Sequence, residues 1–266
     1  MTNPYVFYYV MKYPLPLEDE KKFLKFDLRS LPDFADDSFE NINPRRDILE
    51  DLIAQIKKYQ HLLADIPFLK WAFVVNSISF RGVHNNSDID LFLVVQKNRL
   101  WIARLYAWWI FRKIRTTKSH KYKRFCLSFW VEEDQLELKN MSLAPIDIYL
   151  IYWIAHAVPI FSRGWNVVNF YIANKWIKEF LPWWQPKQII DLNIPLLVKK
   201  VNKTNRLIDN IFGNVTNSMI YILWRPLMLI KAYWNGESLG VGTIIKKGVV
   251  KIHKDIRQQV IGVIWK

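Results

Sequence analysis

The chain predicts an α+β fold: a small mixed sheet flanked by helices, followed by a mostly helical C-terminal part. Three observations predict it. Two apolar runs, Ala72 to Val75 and Asp88 to Val95, stand on either side of a polar turn and read as strands, and a third, Phe125 to Val131, follows. Helix-spaced apolar residues lie before and between them, at 44–63 and 97–114. From Ser142 onward the pattern turns mostly helical. The expected organisation is therefore an extension at 1–43, a sheet-bearing domain at 44–140 and a mostly helical domain at 141–266.

Each element has a local reason. Residues 1–43 hold a helix signal after Pro16 and an acidic, loop-like LPDFADDSFENINP, and read as an extension packed on the next domain, with a degenerate winged helix, which Phe7-Tyr8-Tyr9 and the following Tyr13 to Glu18 faintly resemble, as the alternative. Asn43 and Pro44 predict a helix start, with Ile48, Leu52, Ile56 and Tyr59 on one face. The turn after the first strand holds Asn76, Ser77, Ser79, Gly82, Asn85, Asn86 and Ser87, which bond to nearby backbone or accept unusual dihedrals. Leu100, Ala103, Leu105, Ala107, Trp108, Ile110 and Phe111 predict a mostly buried helix. In Phe125 to Val131, strict alternation puts Cys126, Ser128 and Trp130 on one face, with Glu132 following on the Ser128 side. Asp147 begins a helix that Pro159 ends or kinks, and WNVVNFYIANKWIKEFLPWW predicts another, ending at Pro182. His156 reads as a satisfied core histidine. The tail carries a short β-like piece around Thr243 to Val250.

Composition narrows the function classes. Of 266 residues, 51% are hydrophobic, enough for a sizeable core, and the formal net charge is +14. That balance favours polyanionic partners, a nucleic acid such as RNA or, less so, an anionic membrane surface. A single cysteine, Cys126, excludes an internal disulfide framework and a Cys-cluster metal site. No leader pattern appears at the N-terminus, and the apolar runs are broken by Asp147, His156, Arg225 and Pro226, so a cytoplasmic protein is expected. MIYILWRPLMLIKAYW has an alternative reading as a segment lying on a membrane surface.

The sharpest chemistry is at the start of the second strand. Asp88 and Asp90 are one residue apart, so in a strand they share a face, about 7 Å from each other. Two like charges so placed suit a shared hard cation, Mg²⁺ or Mn²⁺, which also takes phosphate and water oxygens. No acidic residue occurs between Asp90 and Glu132, while ten Lys or Arg fall between Lys97 and Arg124. Lys121, Lys123 and Arg124 of that block are candidates to hold a triphosphate or an RNA backbone.

NSISFRGVHNNSDIDLFLVV resembles the DNA polymerase beta-like nucleotidyltransferase superfamily, whose signature is a Gly-Ser turn followed by Asp-x-Asp on the next strand. Here Asn76 stands where the glycine is usual. The flanking pattern is also similar to bacterial nucleotidyltransferase-domain proteins. The resemblance implies that residues 44–140 are a nucleotidyltransferase domain, with NTP as donor, Asp88 and Asp90 as catalytic metal ligands, and Asn76, Ser77 and Ser87 at the phosphates. It also implies a third carboxylate on the third strand. Ser128 occupies that place, and Glu132 is the candidate by alternation. The expected activity is metal-dependent transfer of a nucleotidyl group to an acceptor hydroxyl, with a binding protein of the same fold that has lost the chemistry as the alternative.

Overall fold

The computed structural model describes residue 11 and residues 45–115, 125–143, 146–164, 166–182, 184–185, 192–200, 206–237, 239–240 and 242–252. Its strands are β1 (Leu69–Val74), β2 (Ile89–Val95), β3 (Phe125–Glu132), β4 (Val158–Arg163), β5 (Leu197–Lys199), β6 (Thr243–Ile245) and β7 (Val249–Ile252). Its helices are α1 (Arg46–Tyr59), α2 (Leu100–Arg115), α3 (Ile148–Ala155), α4 (Val168–Ala173) and α5 (Arg206–Trp234). The strands form one sheet in the order β5-β4-β1-β2-β3-β7-β6. Pairs β2–β3 and β4–β5 are parallel and the rest antiparallel. A parallel pair needs a long crossover, and α2 supplies it between β2 and β3. The α+β class expected from the sequence is the class observed.

Strands β1 and β2 are buried on both faces, apart from a half-buried Asp90, which explains their nearly unbroken apolar runs. Alternation sends Trp71, Phe73, Phe92 and Val94 to one core, shared with α3 and α4. It sends Ala72, Val74, Ile89, Leu91 and Leu93 to a second core, under α1, α2 and α5. Phe73 and Phe92 meet Phe170 of α4 at ring distances of 4.9 and 5.3 Å.

The structure differs from the sequence reading at three places. The boundary expected near residue 140 runs through a shared sheet: β4 pairs with β1, and β7 pairs with β3. Val158 to Phe161 is strand rather than helix end, and Pro159 sits beside a register shift against β1, where a missing N–H donor is tolerated. The long helix expected before Pro182 breaks at Asn174, between α4 and a 3-10 turn at Lys175–Glu179. The fully buried Asn174 amide accepts from Leu138 N–H at 2.9 Å and donates to the Leu136 carbonyl at 2.8 Å, so it staples rather than continues the helix. The β-like tail is observed as the β6–β7 hairpin. Asn43, Pro44, the helix after Pro16 and most of the 1–43 extension lie outside the described residues.

Helix α2 takes its N-terminal cap from distant parts of the chain. The first N–H groups of a helix lack partners within it. Here Leu100 N–H donates to the Glu132 carboxylate at 3.3 Å, and Trp101 N–H donates to Asn217 Oδ1 at 2.8 Å. Helix α5 is thus locked across the start of α2. Gly213 makes room for the buried Arg99 guanidinium, which donates to Asn214 Oδ1 at 2.6 Å.

Candidate functional site

The turn that leaves β1 is fixed by one residue. Val75 N–H still donates to the Asp90 carbonyl at 3.1 Å, and Asn76 then takes φ 59°. That left-handed region is open to Gly and, among the rest, favours Asn. The Asn76 side chain has a second task that glycine cannot perform. Its Oδ1 accepts from Tyr149 Oη at 3.1 Å and Trp153 Nε1 at 2.8 Å, tying the turn to α3. The Asn76 carbonyl accepts from Phe80 N–H at 3.1 Å and from the Ser79 hydroxyl at 2.9 Å, which folds 76–80 into one helical turn. Ser77 is the half-buried second residue of this turn.

Ser87 holds the other end of the loop. Its buried hydroxyl accepts from His84 N–H at 2.9 Å, and its own N–H donates back to the His84 carbonyl at 2.9 Å. The next residue, Asp88, is exposed and lies just before β2. Asp90 is the second residue of β2 and half-buried. It shares a face with Phe92 and Val94, so it looks toward the α3 side of the sheet.

The structure does not bring Glu132 to this pair. In the parallel register Asp90 lies beside Cys126, whereas Glu132 lies beside Val95. Five residues of strand separate the two positions, about 16 Å. A bulge also resets the alternation, because β3 spends three steps, Cys126 to Phe129, against two in β2. Phe129 and Val131 therefore join the α3-side core, and Trp130 the other, so Glu132 turns toward α2. Burial raises its pKa above the ordinary value, against the backbone donors of Asn98, Leu100 and Arg99. The rest of this acidic run is engaged at the same end, Glu133 with Lys70, and Asp134 with Lys97 at 3.0 Å. The place beside Asp90 belongs to Cys126, whose Sγ lies 3.2 Å from Ser128 Oγ. Among the described residues no third His, Cys, Asp or Glu gathers with others into a metal-holding group.

Two features escaped the sequence reading. A cleft of about 500 Å³ is lined by Arg46, Lys57 and Arg81 with Glu50 among them. Arg81 belongs to the turn itself and has φ 54°, so its position four residues after Ser77 was the available signal. His156 is a core residue, as expected, but it also supports the turn. Its ring stacks on Phe80 at 4.6 Å, and its Nδ1 lies 2.9 Å from the Tyr152 carbonyl. Burial pulls its pKa down to about 3, and the Arg81 charge adds to that. Lys121, Lys123 and Arg124 lie outside the described residues. No protein-family model, curated protein or solved structure matches the chain.

Proposed function

We propose that the chain is a metal-dependent nucleotidyltransferase that uses an NTP donor. One observation carries this reading: Asp90 near the start of β2, with Asp88 just before the strand, follows a turn held in the left-handed region at Asn76. Asp88 and Asp90 would hold the cation through carboxylate oxygens. A bound Mg²⁺ or Mn²⁺ neutralises phosphate charge and polarises the α-phosphorus. Backbone N–H groups around Ser77 would meet the terminal phosphates, since the Asn76 amide oxygen is committed to α3. An acceptor hydroxyl forms the new bond to the α-phosphorus, its proton leaves to solvent or a base, and pyrophosphate departs. The net charge of +14 suits an RNA acceptor.

A second reading is binding of nucleotide or RNA without transfer. It is favoured by Cys126 standing beside Asp90 while Glu132 is spent on α2. Incubation with labelled NTPs, Mg²⁺ and total RNA separates the two, alongside calorimetric NTP binding. Labelled RNA that disappears in Asp90→Ala supports transfer. NTP binding without any labelled product supports the second reading. Absence of both removes the site.

A further inference from the structure

Between Val215 and Trp234, helix α5 carries apolar side chains on its outer face as well as its inner one, which a helix facing water on one side does not. Its inner face is accounted for: Ile220, Tyr221, Trp224 and Met228 pack on the core, and Ala232 is buried. Its outer face is not covered by the described residues. Val215, Met219, Ile222, Leu223, Leu227, Ile230, Tyr233 and Trp234 are all exposed, Leu223 at 70% and Trp234 at 81%. At 3.6 residues per turn these eight fall within one stripe about 140° wide and about 28 Å long. A continuous apolar patch of that kind marks a contact surface.

We infer that this face is a membrane-docking surface that seats α5 in the plane of an anionic lipid bilayer. Charge says what covers it. No acidic residue occurs between Asp209 and Glu237. Arg225 and Lys231, both exposed, stand about 60° and about 40° beyond the two edges of the stripe, where their heads reach lipid phosphates while the stripe is submerged. Exposed Lys246 and Lys247 lie on the hairpin to which α5 is tied by Arg225 Nε donating to the Ile245 carbonyl at 3.3 Å. Tyr233 and Trp234 close the stripe with the two residue types that favour the headgroup level. No helix among the described residues is long and apolar enough to cross a membrane, and an in-plane helix needs no such length. A second copy is disfavoured as the occupant because it brings the same net charge of +14 to the contact.

The test is co-sedimentation of the full chain with vesicles, comparing phosphatidylcholine alone with a phosphatidylcholine–phosphatidylglycerol mixture. The protein should pellet with the mixed vesicles and largely stay in the supernatant with neutral ones. Leu223→Glu combined with Leu227→Glu should weaken binding about tenfold or more while circular dichroism stays unchanged, because both side chains are exposed. Lys231→Glu should weaken it to a lesser, salt-sensitive degree. No binding to anionic vesicles overturns the inference, and so does binding that the double substitution leaves unchanged. A dimer in solution that the double substitution dissolves, with no vesicle binding, assigns the face to a second copy instead.

Discussion

Replacing Asn76 tests how the candidate turn is held. In Asn76→Ala, Trp153 Nε1 loses its acceptor at 2.8 Å on a side chain that is only 4% exposed, and Tyr149 Oη loses one at 3.1 Å in a half-buried place. An orphaned buried donor costs about 1–3 kcal/mol, and a donor that water reaches costs less. The alanine must also adopt φ 59°, which adds about 1 kcal/mol. The expected loss is about 3 kcal/mol. Asn76→Gly relieves the dihedral but not the lost acceptors, so it should cost about 2 kcal/mol. Urea unfolding of the three proteins measures both values, with equal slopes confirming that the same surface is exposed. An alanine variant within about 0.5 kcal/mol of the parent would refute the role given to the amide, and a glycine variant worse than alanine would refute the role of the dihedral.

Four further outcomes are expected. Mg²⁺ with NTP should raise the melting temperature of the parent, with stabilisation of about 2.7 kcal/mol at a hundredfold excess over Kd, and leave Asp90→Ala unmoved. His156 stays neutral in the fold, so the unfolded chain binds its proton first as pH falls below 6.5; stability should drop by about 2 kcal/mol at pH 5, a loss absent from His156→Phe. Glu132 behaves in the opposite sense. Its pKa is raised, so the folded chain binds the extra proton and stability declines as pH rises through and above 4.5; denaturation curves of Glu132→Gln should lack that decline. Gly213→Ala would put a Cβ 2.7 Å from Arg99 Cζ, and the buried guanidinium would have to leave Asn214; the expected cost is about 1–3 kcal/mol despite better helix propensity, and an Arg99→Ala background should remove most of it.

Local rules carried β1, β2, α2 and a β-like piece around Thr243 to Val250, because periodicity and turn chemistry are properties of neighbours in sequence; that this piece is a hairpin came from its pairing. The shared face expected of Asp88 and Asp90 needed both in one strand, and only Asp90 is in β2; Asp88 lies exposed just before it. The left-handed Asn76 was legible from turn chemistry. What the chain order could not reveal was pairing between distant segments. β4 and β7 join one sheet with β1 and β3 because their hydrogen-bonding edges meet in space, so the change of pattern after residue 140 marks no division of the fold. Glu132 was misplaced by an extra residue in β3, which is a bulge only by reference to β2 across the ladder. Its carboxylate then found the unpaired N–H groups of α2. Sequence alone determined the strand that carries Asp90 and the turn before it; tertiary structure decided which group stands beside Asp90, because register is set by packing between strands and not within one.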